Sequence, residues 1–269
     1  MELTAENYFS EEADREYMSV SQFKSFAGTL GKSACEYKAL ESLNRRWEDE
    51  TTEAMLIGSY VDSYFEGTLE TFKSEHPEIY KKDGDLLAKF QHANDIIKRI
   101  ESDKYFMFCL RGEKQRIMTG EIGGVKWKIK MDSYIEGDSI VDLKIVKAVD
   151  GKDGFNWVRD YGPMLWVYYW GYDIQGAVYQ EIVRQNTGLV LPFRLAAASK
   201  EKEPSIRVIG IEQERLNQAL TFVKTNLPRV LSVKNGETAP DRCELCDCCR
   251  RNRVLNGPIW SSSITEAIE

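Results

Sequence analysis

Histidine, long apolar runs and a positive net charge are what this sequence lacks. The chain of 269 residues has only 2 histidines, His76 and His92, and neither lies in a motif. This scarcity argues against a histidine-rich zinc enzyme or a Ser-His-Asp hydrolase. No apolar run approaches the roughly 20 residues of a membrane span, so a membrane is not an expected partner. The net charge of −7 excludes a protein that coats nucleic acid non-specifically, but it permits an enzyme with one local basic groove.

The composition predicts a folded cytoplasmic protein. Hydrophobic residues make up 42% and charged residues 29%, with 7 prolines, which are globular proportions. Residues 1–17 are acidic and have no basic region ahead of an apolar stretch, so they are not typical of a secretory signal. We therefore expect the cytoplasm and reduced cysteines.

Hydrophobic periodicity predicts the order of elements. Helical spacing indicates helices at 20–47 (with a break near 28–31), 53–66, 86–100, 164–184 and 216–231. Alternation and short apolar runs indicate strands at 125–131, 140–146, 190–197 and 206–211. Helices come first, then strands, a helix, strands and a helix. This order predicts an α/β (α+β) fold with a helical N-terminal part, in a single domain over residues 1–269.

Two of these strands turn about Gly137 and should bring carboxylates together. Asp132 and Asp142 are equally distant from Gly137, so a hairpin places their Cβ atoms about 5 Å apart. Two like charges there destabilise a hairpin, whereas a divalent cation removes the repulsion. Lys144 projects from the same face as Asp142, and such a set suits phosphodiester hydrolysis. Glu121, at the end of the preceding strand, is a further candidate ligand. Ordinary surface charges on an exposed hairpin are the alternative for all of them.

Four of the 6 cysteines are clustered near the C-terminus. Cys243, Cys246 and Cys249 have the spacing C-x-x-C-x-x-C when Cys248 is left out. In a reducing cytosol this spacing indicates a soft or borderline metal, with one coordination position still open. Free reduced thiols are the alternative.

Four motifs together resemble a known family. Asp132 followed by Asp142-Leu143-Lys144 is similar to the PD-(D/E)xK nuclease signature. The surrounding sequence resembles the phage and bacterial exodeoxyribonuclease VIII-like group of recombination nucleases. The other three motifs are Ser19-x-Ser21-x-Phe23 leading to Cys35, Gly58-x-x-x-Asp62 and Gln175-x-x-x-Tyr179. The resemblance covers residues from about 19 to 250 and implies a restriction-endonuclease-like core, with a mixed sheet flanked by helices.

The resemblance implies a site for Mg²⁺ or Mn²⁺. Asp132, Asp142 and the Leu143 backbone carbonyl would be metal ligands, and Lys144 would position the attacking water. Asp62 stands where relatives usually have a histidine, so it would bind as an oxygen ligand. A charged residue on the exposed side of a helix is the alternative for Asp62.

Contacts with nucleic acid are expected from two sets of residues. Gln175 and Tyr179 lie on one helix face, and the resemblance implies that they touch the DNA backbone near the active site. Lys126, Lys128 and Lys130 share one strand face with the acidic pair and would supply a local basic track. Surface packing is the alternative for the first set, and a solvated strand face for the second.

The resemblance also completes the cysteine motif. Some relatives fill the open position with an N-terminal cysteine and hold a [4Fe–4S] cluster, and Cys35 stands in the matching place. Four thiolates fit such an iron–sulfur cluster, and they equally fit a tetrahedral Zn²⁺ site. The cysteine-rich tail, about residues 240–253, would then be attached to the N-terminal part.

The function implied is that of a metal-dependent DNA exonuclease, a hydrolase acting on linear duplex ends in phage-type recombination. A single-strand annealing protein is an expected partner, and a homo-oligomer is compatible with the resemblance. The alternative is a catalytically weak nuclease-fold module that binds DNA or a recombination partner. A restriction-type endonuclease would share the site and differ in cutting closed circles.

Overall fold

The computed structural model describes residues 1–261, where helices surround a mixed sheet. The helices are α1 (Glu11–Glu16), α2 (Val20–Ala27), α3 (Glu36–Leu43), α4 (Glu53–Glu66), α5 (Leu69–Glu75), α6 (His92–Glu101), α7 (Lys104–Cys109), α8 (Trp166–Tyr169), α9 (Tyr172–Thr187), α10 (Gln213–Lys234) and α11 (Asp247–Arg251). The strands are β1 (Arg116–Ile122), β2 (Val125–Met131), β3 (Ser133–Ile135), β4 (Ser139–Val146), β5 (Phe155–Val158), β6 (Gly162–Leu165), β7 (Phe193–Ser199) and β8 (Ile206–Gly210). Within this described range no helix is long and apolar enough to cross a membrane.

The central sheet is mixed and has the strand order β3-β4-β7-β8. Strands β4 and β7 are parallel, and both outer pairs are antiparallel. The connection from β4 to β7 passes through α9, because parallel neighbours need a crossover. Two further antiparallel pairs, β1-β2 and β5-β6, form separate two-stranded sheets. A mixed sheet flanked by helices confirms the predicted fold class.

Strand β4 is covered on both faces. Val141 and Leu143 pack in one core with Val61 of α4 and Ile96 of α6. Ile140 belongs to a second core, together with residues of α9 and α10. A strand buried on both sides is normally a continuous apolar run. A carboxylate within it, such as Asp142, therefore needs partners inside the protein.

The turn about Gly137 has the predicted register. Ser133 of β3 lies opposite Val141 of β4, and extending this register by one residue places Asp132 opposite Asp142. Gly137 has φ +70°, a conformation that favours glycine. The strand partners differ from the prediction, because β2 pairs with β1 and only the short β3 pairs with β4. Asp132 lies at the joint between β2 and β3, where the chain changes partners.

The N-terminal segment covers β2, and this corrects the predicted basic track. The Met18 N–H donates to the Lys126 carbonyl (2.8 Å), and the Lys128 N–H donates to the Met18 carbonyl (2.9 Å). Lys128 is only 1% exposed, and its ammonium binds Asp14 Oδ1 (2.8 Å) and the Tyr8 carbonyl. The alternating pattern predicted a basic track for DNA, with a solvated strand face as the alternative. That face is instead partly enclosed, because the N-terminal segment pairs along β2.

The predicted helix at 164–184 is interrupted. Strand β6 and the short helix α8 precede Gly171, and α9 begins only after it. Gly171 has φ +65°, and a Cβ there would lie 2.7 Å from Thr29 Cγ2. The interruption lets α9 start beside α2. Aromatic residues on both sides of Gly171 hid this break in the sequence.

Candidate active site and cysteine cluster

The two aspartates meet at the end of the β3-β4 pairing. Asp132 Oδ2 accepts a hydrogen bond from the Leu143 N–H (2.9 Å), so the carboxylate takes the place of the missing strand partner. Asp142 is 2% exposed, and its Oδ1 accepts from the Gln175 amide nitrogen (2.7 Å). The predicted juxtaposition of Asp132 and Asp142 is therefore present, and the Leu143 N–H and the Gln175 amide each hold one carboxylate oxygen.

Lys144 lies against the same carboxylates. Its ammonium contacts Asp142 Oδ2 and donates to the Leu143 carbonyl at 3.1 Å. Burial alone lowers the pKa of Lys144, but Asp142 and Asp132 outweigh burial and raise that pKa well above its ordinary value. Lys144 therefore carries a fixed positive charge at neutral pH.

Helix α4 adds two more carboxylates. Asp62 and Glu66 are four residues apart and face the same way, although like charges at this spacing destabilise a helix. Asp62 Oδ1 is buried and has no hydrogen-bond partner among residues 1–261. Burial and the nearby Asp132 raise the pKa of Asp62 well above its usual range. A buried carboxylate oxygen without a donor is a fitting ligand for a hard cation.

Gln115, which was not among the predicted site residues, links these carboxylates. Its side-chain amide nitrogen donates to Glu66 Oε1 (2.7 Å) and to Asp132 Oδ1 (3.3 Å). Gln115 also has φ +52°, which is unfavourable for a residue with a side chain. Its segment is held close to β3, where a Cβ on Gly112 would lie 2.5 Å from the Tyr134 carbonyl. No motif signals such a residue, whereas the spacing of Glu66 from Asp62 on one helix could have identified Glu66.

The carboxylates repel one another in the absence of a cation. Burial and the Asp142 carboxylate raise the pKa of Asp132 from 3.8 to about 7. A divalent cation bound between these oxygens would offset the repulsion and lower the pKa again. The residues therefore fit a Mg²⁺ or Mn²⁺ site by the chemistry of their donors.

Gln175 and Tyr179 point inward from α9. Gln175 holds Asp142, as described above, and the Tyr179 hydroxyl donates to the Lys130 carbonyl at 3.0 Å. Both side chains are less than a tenth exposed. The packing alternative from the sequence thus describes much of what they do here. Their contact with DNA stays a prediction.

A cavity of about 390 Å³ lies beside Gln175 and Tyr179. Its lining includes the basic side chains of Lys24, Arg45 and Lys130. Burial and the nearby Lys144 lower the pKa of Lys24 to about 8. The cavity therefore has a positively charged wall, and Gln175, which lines it, also binds Asp142.

Two predicted residues lie elsewhere. Lys126 is exposed and pairs with Glu16 at 2.8 Å, outside the cavity lining. Glu121 lies opposite Lys126 near the β1-β2 turn, at the end of β2 distant from Met131. Glu121 is therefore not brought to the carboxylates, and Glu66 occupies the place that a further acidic ligand would take.

Four cysteines converge at the second site. The Sγ atoms of Cys35, Cys243, Cys246 and Cys249 all lie within 4.8 Å of one another. Cys35 and Cys249 are 214 positions apart, yet their Sγ atoms are separated by 3.5 Å. Cys248 is buried outside this group, as the spacing predicts. The predicted four-cysteine arrangement is present.

Comparison with known proteins agrees with the fold and identifies the family. Residues 19–252 match the model of a PDDEXK-like domain of unknown function. The chain is also similar to the 2.19 Å crystal structure of a protein named "putative exonuclease" from Eubacterium rectale, with a TM-score of 0.93 and 59% identity over 98% of each chain. No curated protein gives a significant match. The resemblance drawn from Asp132, Asp142 and Lys144 is thus confirmed, and the chain belongs to the family of PDDEXK-like domains.

Proposed function

We propose that this chain is a metal-dependent DNA exonuclease that hydrolyses phosphodiester bonds at linear duplex ends in phage-type recombination. The observation that carries the proposal is the crowding of Asp62, Asp132 and Asp142 around one buried point, with Lys144 beside them. The name of the Eubacterium rectale protein supports the same activity. We also propose that residues 1–269 form one nuclease-like domain, since the family match spans 19–252.

Asp132, Asp142 and Asp62 would hold Mg²⁺ or Mn²⁺, with the Leu143 carbonyl as a further oxygen ligand. When bound, such an ion polarises the phosphate and lowers the pKa of a coordinated water. Asp62 Oδ1 is free to bind a cation, because it accepts no hydrogen bond from the described chain. The Leu143 carbonyl accepts from Lys144, so it shares its lone pairs with that ammonium.

Lys144 acts as a donor and a positive charge. Although burial lowers its pKa, Asp142 and Asp132 raise that pKa well above the ordinary value, so Lys144 is protonated in the metal-free protein and can donate hydrogen bonds to the attacking water. Its N–H groups orient that water and stabilise negative charge that develops on the phosphate oxygens. The contact with Asp142 keeps the ammonium at this position.

The substrate reaches the site along the cavity. Lys24, Arg45 and Lys130 present positive charge there, which suits a phosphate backbone. Gln175 sits between this cavity and Asp142, so it would align the scissile phosphate with the carboxylates. An overall charge of −7 is compatible with this arrangement, because Lys24, Arg45 and Lys130 make the cavity wall locally positive.

Digestion of linear and closed circular duplex DNA tests the proposal. With Mg²⁺ or Mn²⁺ the wild type should degrade the linear form and spare the circle, and a chelator should stop the reaction. Lys144→Met should remove activity, while Glu121→Gln, which lies outside the site, should retain it. Cutting of closed circles would point instead to an endonuclease.

The alternative of a DNA-binding module has its own outcome in the same assay. Wild-type protein that binds duplex DNA but hydrolyses none with either metal would contradict the enzymatic proposal. The recombination setting is tested separately, by asking whether a single-strand annealing protein co-purifies with the chain or anneals the strands that it leaves.

A further inference from the structure

The four-cysteine site has the dimensions of one metal ion. The Sγ atoms of Cys35 and Cys249 are 3.5 Å apart, those of Cys35 and Cys246 are 3.8 Å apart, and those of Cys243 and Cys249 are 4.0 Å apart. The remaining pairs are within 4.8 Å. A tetrahedral ion with metal–sulfur bonds of about 2.3 Å holds its thiolates about 3.8 Å apart.

An iron–sulfur cubane needs a wider site. Each of its four thiolates binds a different iron, and the bonds diverge from the corners of the cube, so the sulfurs stand about 6 Å apart. No two of the four sulfurs here are more than 4.8 Å apart. The [4Fe–4S] cluster implied by relatives therefore does not fit. We propose that Cys35, Cys243, Cys246 and Cys249 bind a single Zn²⁺ ion, independently of the nuclease activity proposed above.

Backbone N–H groups are placed to donate hydrogen bonds to three of these sulfurs. The Lys38 N–H points at Cys35 Sγ (3.5 Å), the Cys246 N–H at Cys243 Sγ (3.3 Å) and the Cys249 N–H at Cys246 Sγ (3.4 Å). Such donors stabilise the negative charge of metal-bound sulfur and orient it. Backbone N–H groups point at three of the four sulfurs. This favours a preformed metal-binding site over four free thiols that are close by chance.

The turn that carries two of the ligands is held in an unfavourable conformation. Glu244, between Cys243 and Cys246, has φ +57°. Arg242 Nε binds the Glu244 carboxylate at 2.7 Å, and an Arg242 terminal nitrogen donates to the Cys249 carbonyl at 3.0 Å. Arg242 thus ties Glu244 to the backbone of Cys249 and holds the turn in place. A strained turn of this kind is expected where a ligand over-determines the geometry.

Contacts outside the site bring its two halves together. The Arg229 guanidinium of α10 forms two hydrogen bonds with Glu36, which directly follows Cys35 (2.9 and 2.6 Å). Glu36 in turn accepts from the Asp241 N–H at 2.7 Å, two residues before Cys243. The chain thus pre-positions the N-terminal ligand and the tail, so an ion can close the site without large rearrangement.

Cys248 provides a matched control. It is fully buried and adjacent to Cys249, but it belongs to none of the four-sulfur contacts. The Asn252 side-chain nitrogen donates to Cys248 Sγ at 3.9 Å. Loss of the metal on replacing Cys249 but not Cys248 therefore reports ligation and not cysteine content.

The test is metal analysis of the full chain purified without oxygen. We expect about one zinc per chain and no acid-labile sulfide, with Co²⁺ replacement giving the intense visible bands of tetrahedral cobalt thiolate. Cys249→Ser should retain less than about a tenth of the zinc, whereas Cys248→Ser should retain all of it. If Cys249→Ser does not fold, the more exposed Cys243→Ser serves the same purpose. A brown protein with iron and inorganic sulfide, an equal loss of zinc from both variants, or a chain without metal would overturn the proposal.

Discussion

The carboxylate site and the cysteine site differ in how the chain assembles them. Asp132, Asp142 and Lys144 lie on one local hairpin, and their spacing about Gly137 alone brings them together. The cysteine site instead joins Cys35 to a tail that lies 214 positions away, at Cys249. The first is built by strand register, and the second by the packing of distant helices.

The two sites also differ in how complete they are. The four sulfurs are all within 4.8 Å of one another and can satisfy a tetrahedral ion without any outside group. The carboxylates leave Asp62 Oδ1 without a donor from the described chain, and Gln175, the partner of Asp142, lines a cavity with a basic wall. A closed ligand set is typical of a structural metal, and an open one of a catalytic metal. We therefore propose that the cysteine site stabilises the fold and that the carboxylate site carries the chemistry.

The largest expected effect is the loss of nuclease activity when the carboxylate site, and not the cysteine site, is altered. Asp142→Asn should lower the rate of linear duplex digestion by about 10³-fold, because it removes a metal ligand and the partner of Lys144. Cys249→Ser should lower the same rate by less than about tenfold, because it acts only through stability. Initial rates at saturating Mg²⁺ measure both. Equal losses of digestion rate in the two variants would contradict the assignment of different roles to the two sites.

The second-largest expected effect is a pH dependence of thermal stability that arises from the carboxylate site. The pKa of Asp132 is about 7 in the folded, metal-free protein and 3.8 when unperturbed, so the folded state binds its proton more tightly. This group's contribution to stability is complete below pH 4 and is lost as the pH rises through 7. The Tm in chelator should therefore fall by a few degrees between pH 5 and pH 8 relative to Asp132→Asn.

Added Mn²⁺ sharpens that test. The ion binds the deprotonated carboxylates of the folded state, so it should raise the Tm more at pH 8 than at pH 5. The Asp132→Asn variant should show little of this difference. If the Tm of the wild type changed with pH in the same way as that of Asp132→Asn between pH 5 and pH 8, the repulsion between carboxylates would not depend on Asp132.

Gln115 should have an intermediate effect. Gln115→Ala removes the amide that bridges Glu66 and Asp132, and we expect Mn²⁺ to bind about tenfold more weakly. Gln218→Ala, on the exposed face of α10, is the control. Gln115→Gly separates two contributions, since glycine relieves the strain at φ +52° while still removing the amide. It should gain stability relative to Gln115→Ala and still bind the metal weakly, as titration calorimetry would measure.

The smallest expected effect concerns DNA affinity. Lys130 lines the cavity, so Lys130→Ala should weaken duplex binding a few-fold and reduce the salt slope by about one. Lys126 lies outside that lining and pairs with Glu16, so Lys126→Ala should leave the slope nearly unchanged. Binding measured at several salt concentrations would reveal the difference. A larger change for Lys126 would place the DNA path on the other side of β2.

Much of the fold followed from periodicity, because most elements are bounded by clear turn residues. Helix α4 and strand β2 begin and end where the pattern predicts. The β5-β6 pair was missed, because residues 155–165 are short, aromatic and half-exposed and have no clear alternation. The enclosure of Lys128 was missed because it depends on the N-terminal segment pairing with β2, which no local pattern encodes.

Some features of the carboxylate and cysteine sites could likewise be predicted from the sequence, and others could not. The opposition of Asp132 and Asp142 follows from symmetry about one turn, so sequence reasoning could predict it. Gln115 enters through a positive φ and a close approach to β3, and both are properties of the folded chain. The convergence of the cysteines could be expected from the resemblance alone. The choice between one ion and a cluster required the distances between sulfurs.

Anomalous diffraction from one crystal soaked in Mn²⁺ tests the central claim most directly, because manganese and zinc can be located separately at their own absorption edges. We predict a manganese peak in contact with Asp132 and Asp142, and a zinc peak among the Sγ atoms of Cys35, Cys243, Cys246 and Cys249. A map with no manganese at the two aspartates would contradict the assignment of the catalytic centre.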